Sequence, residues 1–418
     1  LTPQSLLKMV KTDFAMVLLL FFISGCTTVR HAPPDDVSER ATVSGMQDIR
    51  AFGGRPNDVF IKDLMGLLEK EQKKEAFSRK FSKTYTSLAI SGGAENAAYG
   101  AGLLNGWSQS GSRPAFDAVT GISAGAIIAP FAFAGSKYDE KLKKLFTHYS
   151  TKDILRRKGL LPTLLGNSIA SALPLKRLID QNIDEDLLRD IAQAYREGRR
   201  LYAGTTELDS RKLVIWNMGK IASVGNDSAL RLFRKIILAS ASIPGVFPPV
   251  YINVEFNNKV YDEMHVDGGI SKNVFFIFDF SEGLDKMAIE KGIDFYGIKR
   301  ELYVILNGYA KTFWKEVPNT LPAIAQQTYD LMATAKSIGD IYQLYSFTNA
   351  DRSDFNLAYI PSDPPPKQKE FFDPIEMRRL FDLGFKEAVH GYDWKKYPPG
   401  LNKKWEDKKT VIPEYYFL

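Results

Sequence analysis

Ser123 stands at the centre of Gly121-Ile122-Ser123-Ala124-Gly125, between a strand-like run, 116–120, and an apolar helix start, 126–129. G-x-S-x-G between strand and helix is the layout of a nucleophile elbow. The serine there takes a strained turn, so the residues two before and two after must be small for strand and helix to pack closely. The helix N-terminus and the amide after the serine then favour negative charge beside the hydroxyl. Bare, the pattern can be no more than a tight strand-to-helix turn.

A serine nucleophile needs a base, and the chain has four histidines: His31, His148, His265 and His390. His31 lies in a polar N-terminal stretch and His148 in a charged helical pattern. His390 follows a helix-like run from Pro374 and is the one late enough for the Ser…Asp…His order of α/β-hydrolases. Asp267 offers another route. It begins Asp267-Gly268-Gly269 at what reads as a strand end turning on two glycines, and a carboxylate there can take the serine proton directly. Both routes stay open on the residues alone.

A third segment, "LAISGGAENAAYGAGLL" over 88–104, runs from a strand through Gly92-Gly93 into an Ala-rich helical stretch. That arrangement aims backbone N–H groups at an anion. No Lys-Ser/Thr follows the Gly turn, so it is not a phosphate-gripping P-loop. No metal-ligand spacing or cofactor motif is signalled, and neither metal nor cofactor is expected.

The elements that must position these segments alternate. Strand-like runs at 85–90, 116–120, 200–205 and 301–307 are separated by helical patterns at 139–149, 175–197 and 229–239. The alternation predicts an α/β fold, a central sheet with helices on both faces. Asn57 caps a further amphipathic helix expected over 58–76. The apolar but Pro/Gly-broken stretch 159–175 reads as a buried connection, with the rim of a lipid-facing mouth as the alternative.

The chain has 418 residues, 44% hydrophobic and 25% charged, enough for a large globular core. Its net charge of +6 is mild and spread out; it suits an anionic lipid surface and falls short of a nucleic-acid footprint. Near the N-terminus, Lys8 and Lys11 precede an apolar run, 14–23, that ends in Ser24-Gly25-Cys26. About ten apolar residues make a signal-peptide core and not a bilayer-crossing helix, which needs about twenty. "ISGC" is similar to a bacterial lipobox, and Cys26 is the single cysteine. Cys26 is therefore expected to carry a lipid, with Thr27 after it fitting outer-membrane sorting in the bacterial cell envelope. Residues 1–8 precede Met9 and read as a start-site artefact or a non-AUG start. The expected organisation is a signal peptide over 1–25, a lipidated tether and helix over 26–80, a catalytic domain over 81–395 and a tail over 396–418.

Taken in order, the segments resemble the patatin-like phospholipases. The family shows a Gly-rich oxyanion loop, G-x-S-A-G, a segment like A-S-x-S-I-P-x-x-F-P-P, and D-G-G/A. Here they are 92–97, 121–125, "ASASIPGVFPPV" over 239–250, and 267–269. "GTTELDS" over 204–210 and "MRRLFDLGF" over 377–385 extend the similarity to most of the span 85–394. The resemblance implies a three-layer fold with a mostly parallel sheet. It makes Ser123 the nucleophile and Asp267 its base, with oxyanion donors among the amides of Gly92, Gly93, Ala94 and Ala124. The implied reaction is hydrolysis of a membrane phospholipid or other lipid ester through an acyl-serine. The family's G-G-G-x-R-G loop is altered to Gly92-Gly93-Ala94-Glu95-Asn96-Ala97. Ala94 is harmless at negative φ but costs about 1 kcal/mol in a left-handed conformation. Asn96 removes a positive charge, which leaves a weakened or inactive envelope protein on the same frame as one alternative, and a Ser-His-Asp enzyme using His390 as another.

Overall fold

The computed structural model describes residues 30–401 apart from 44, 55, 77–83, 160–162, 164–165, 278–282, 294–297 and 362–370. The expected signal peptide and Cys26 lie outside the described residues.

Nine strands form one sheet: β1 (Arg50–Phe52), β2 (Tyr85–Ile90), β3 (Ala118–Ile122), β4 (Arg200–Glu207), β5 (Lys212–Asn217), β6 (Val250–Phe256), β7 (Lys259–Asp267), β8 (Arg300–Tyr309) and β9 (Asp354–Ile360). The spatial order is β1-β5-β4-β3-β2-β8-β9, and the hairpin β6–β7 joins through β7 to β4. The five strands β4, β3, β2, β8 and β9 run parallel, while β1, β5 and the hairpin are antiparallel additions. This is the mostly parallel α/β sheet that the alternating pattern predicts.

Helices cover both faces. The connections out of the parallel strands supply α2 (Ala97–Gln109) after β2 and α3 (Ala124–Ala134) after β3. Alternation along β2 shows the layering: Leu88 and Ile90 join the main core, and Ala89 joins the core on the other face. The main core takes in α4 (Asp139–Thr147), α5 (Leu173–Asn182), α6 (Glu185–Arg196), α7 (Asp227–Ser240) and the C-terminal α9 (Pro374–Ala388). The other face is covered by α1 (Asp58–Ala76) and by the inner half of α8 (Leu321–Asp351), through Ile341 and Leu344. The resemblance at "MRRLFDLGF" has a packing reason. A Cβ on Gly102 of α2 would lie 2.7 Å from the Phe381 backbone carbon, and one on Gly384 2.8 Å from the Leu103 nitrogen. The two helices therefore touch backbone to backbone.

Two expectations change, and one helix goes unsignalled. The single helix over 175–197 is two, because the Asp184 carboxylate accepts the Leu187 amide at 3.0 Å and starts α6 afresh. The 31-residue α8 is not signalled by a core-facing stripe, since its outer half turns apolar residues away from the protein. The polar stretch after Cys26 is not a free tether from Arg30 onward. Arg30 pairs with Asp262 at 2.9 Å and Asp209 at 2.6 Å, and Val37, Val43 and Ile49 are buried in the main core.

Candidate active site

Register explains how two distant segments meet. β4 pairs with β3 as far as Gly204 opposite Ile122. One residue further on, Thr205 is opposite Asp267 of β7. β3 and β7 thus approach end to end along β4, one leaving with Ser123 and the other with Asp267. Ser123 comes close enough to Asp267 to favour the charged form of its carboxyl. Both residues are buried, at 7% and 2% exposure.

The elbow is strained as its sequence implies. Ser123 has φ 55° and ψ −126°, a left-of-normal geometry that costs on the order of 1–3 kcal/mol unless the surroundings fix it. The flanking glycines permit it. A Cβ on Gly121 would lie 2.7 Å from the Gly125 carbonyl carbon, and one on Gly125 2.5 Å from the Ser91 oxygen. Ser240, at the end of α7, holds the turn: its hydroxyl accepts the Ser123 amide at 2.9 Å and donates to Gly204 O at 2.7 Å. Two residues on, the Ser242 carbonyl accepts the Asp267 amide at 2.9 Å. The "ASASIP" segment is thereby a brace between nucleophile strand and carboxylate strand. Ser240→Ala orphans a buried donor and a buried acceptor, and unfolding in urea should show it destabilised by about 1–3 kcal/mol. A loss below a few tenths would mean that the brace is not needed.

The Gly-rich loop lies beside Ser123. Ala94 has φ 47°, so the substitution for glycine falls in the left-handed region and carries the roughly 1 kcal/mol penalty. Gly93 is extended at positive φ, 158°, and a Cβ there would lie 2.6 Å from that of Asn307 and closer still to its carbonyl oxygen. Asn307 supports the loop from β8, donating its amide to Ser91 Oγ at 2.8 Å and its Nδ2 to Ser91 O at 2.9 Å. The amides of Gly93, Ala94 and Ala124 donate to no acceptor among the described residues. Gly92 does not belong with them: its amide donates to Asn273 O at 3.0 Å, so its part is to anchor the loop.

Asn273 is a residue that sequence reasoning missed. Its amide donates to Asp340 Oδ2 at 2.7 Å and its Nδ2 to Ser337 Oγ at 2.6 Å, both on α8. It ties the loop at Gly92 and the segment after Asp267 to one helix. The signal would have been an Asn six residues after Asp267, but its partners lie more than sixty residues away.

The electrostatics separate the candidate bases. Burial pushes the Asp267 carboxyl up to about 7, against the opposing pull of the Ser123 hydroxyl and of the Gly269 amide, which donates to it at 2.7 Å. His265 is fully buried and lies in a separate chain of bonds, to Thr205 Oγ1 at 3.0 Å and Glu263 Oε2 at 3.2 Å. Burial lowers its pKa, and Arg50 pairs with both oxygens of the same Glu263 carboxylate. His390 is exposed beyond the end of α9 and makes no bond to Ser123. Burial also raises the pKa of Glu95 in the loop, with the charges of Asp330 and Glu376 adding to it. The pKa of Tyr329, on α8, is raised by burial and by the charges of Asp267 and Asp330.

A narrow cavity of about 70 Å³ opens from Ser123. Ala94, Ile127, Phe131, Leu175, Phe247 and Met377 are among its walls, which are apolar but for Ser123 and Asn182. Leu175, from the broken stretch 159–175, lines it, while Ile169 and Leu173 of the same stretch are exposed. Among the described residues no group of acidic, His or Cys side chains could hold a metal ion.

The mostly parallel sheet with helices on both faces defines the fold class of this domain. Residues 88–278 match the model of the patatin-like phospholipase family. Among solved structures the chain is similar to the crystal structure of VipD from Legionella pneumophila, at 12% identity and a TM-score of 0.35. The match covers 73% of this chain and 66% of that one, just under two thirds of its length. No curated protein matches the chain.

Proposed function

We propose that the chain is a lipid acyl hydrolase in which Ser123 and Asp267 form the catalytic pair. The observation that carries the reading is the approach of Ser123 to the buried Asp267, brought about by register along β4, with Ser123 at the mouth of an apolar cavity faced by uncommitted amides. The ionised Asp267 takes the Ser123 proton as Oγ bonds to the ester carbonyl carbon. The carbonyl oxygen becomes an oxyanion that the amides of Gly93, Ala94 and Ala124 stabilise, each contributing about 3 kcal/mol in sites of this kind. Asp267 then returns the proton to the departing alkoxide as the ester C–O bond breaks, leaving acyl-Ser123. Water repeats the cycle: its proton passes to Asp267, its oxygen bonds to the acyl carbon, and the serine is restored.

The cavity suits an acyl chain better than a polar headgroup. A fluorophosphonate probe should label the wild-type protein and leave Ser123→Ala unlabelled. Wild-type turnover of p-nitrophenyl esters and defined phospholipids should vanish in the same variant. Labelling that is equal in the two, or absent from both, sinks the assignment. We also read Cys26 as the site of a lipid anchor to the outer membrane, on the strength of "ISGC". An alkyne-tagged fatty acid fed to a bacterial host should then label the wild-type protein and leave Cys26→Ser unlabelled.

A further inference from the structure

The outer half of α8 is built the wrong way round for a helix of a water-facing surface. Positions 321, 324, 325, 328, 331, 332 and 335 recur at helical spacing, all of them are exposed, and all but Thr328 are apolar. Leu321 is 81% and Met332 66% exposed. The hydroxyl of Thr328 is turned back on its own helix, donating to Ile324 O at 2.9 Å. In the loop before the helix, Trp314 is 89% exposed, the highest value for any large apolar side chain described. A contiguous apolar face of this kind marks an interaction site.

Two further observations say what covers it. The face borders the candidate active site: α8 holds Asn273, the anchor of Gly92, through Ser337 and Asp340, and the Lys336 ammonium donates to Ile270 O, three residues after Asp267. Other exposed apolar residues sit at the rim of the cavity: Leu173, two residues from Leu175, and Phe371, next to Phe372. Basic residues accompany both patches. Lys311 and Lys315 flank Trp314. Arg156 and Arg157, both exposed, lie on the two-residue strand that pairs with Ser171 and Ala170 beside Leu173. Aromatic and aliphatic side chains flanked by Lys and Arg are the chemistry of an anionic lipid–water interface. No described helix is long and apolar enough to cross a membrane, so α8 would lie in the plane of the headgroups.

We propose that the outer half of α8, the Trp314 loop and the apolar rim of the cavity form one docking surface for an anionic phospholipid bilayer, seated so that the Ser123 cavity opens into the lipid. The surface stands on its own geometry and rests on the esterase reading only for what the membrane delivers. The test uses the full chain carrying Cys26→Ser, so that no covalent lipid contributes. Vesicles of phosphatidylglycerol with brominated phosphatidylcholine quench tryptophan that enters the acyl region, and the N-terminal apolar run has no tryptophan. Quenching should be seen and should be lost in Trp314→Phe. Leu321→Glu with Met332→Glu should weaken vesicle affinity at least tenfold and leave hydrolysis of a soluble short-chain ester unchanged.

Absence of quenching, or undiminished affinity in the double variant, overturns the docking surface. So does a shift from dimer to monomer in the double variant without quenching, which would make a second copy the occupant. Quenching without hydrolysis of any soluble ester would leave the docking surface standing and remove the esterase reading instead.

Discussion

Asp267→Asn is expected to lose a hundred- to ten-thousand-fold in kcat/KM for a soluble ester and, at the same time, to become the more stable protein at pH 8. The two effects share one cause. The carboxyl is held at about 7 in the folded chain against 3.8 for the free group, chiefly because it is buried. A folded-state value above the unfolded one means that the folded protein prefers the protonated form. Its contribution to stability is therefore fully present below about pH 4 and is lost as pH rises through about 7. The roughly three-unit difference corresponds to a cost of about 4 kcal/mol at pH 8. Asparagine keeps the shape and can still accept the Gly269 amide, without the charge. Denaturation at pH 4.5, 6 and 8 should show the advantage of the variant growing with pH and levelling off above 7. In the wild type, kcat/KM should climb through about 7 and then flatten, with about a tenth of the enzyme ionised at pH 6. Retained activity in the variant, or a variant less stable than wild type at pH 8, contradicts the role given to this carboxylate.

Gly93→Ala tests the other half of the site. The added methyl has no room, because the Asn307 backbone and Cβ occupy the space and are themselves bonded to Ser91. The loop must move, and the amides of Gly93 and Ala94 move with it. Loss of a single well-aimed oxyanion donor costs about 10²–10³ in kcat, and overpacking adds about 1–3 kcal/mol of destabilisation. A melting curve establishes that the variant folds. If the folded variant keeps more than about a tenth of wild-type kcat, the Gly-rich loop is not where the oxyanion sits.

What the sequence revealed follows from where the physical constraint is local. The elbow was legible because its sterics act over four residues, and Gly121 and Gly125 are dictated by backbone contacts that leave no alternative. Four of the five parallel strands were legible as buried runs between helical patterns, with ends shifted by at most two residues, while β9 was not read. Asp267 could be singled out but not paired, since its position opposite Thr205 is a matter of register. Ser240, Asn273 and Asn307 could not be singled out: each acts through a hydrogen bond to a residue distant in the chain, and nothing in their neighbours announces it. The expectation for Gly92 failed for a related reason, its amide being claimed by a carbonyl 181 residues away. The outer half of α8 was missed because its apolar residues face outward.

The grip of the N-terminal segment on the hairpin β6–β7 bears on where this protein can be cut. Arg30 holds Asp262, Thr42 bonds to Glu255, and Arg50 reaches from β1 to Glu263, four residues short of Asp267. The stretch of similarity to known families starts at residue 88, yet the carboxylate strand is fastened by residues well upstream of it. The similarity boundary is thus not a folding boundary. A fragment beginning at 88 would keep every motif and leave the Glu263 carboxylate buried without the guanidinium that compensates it.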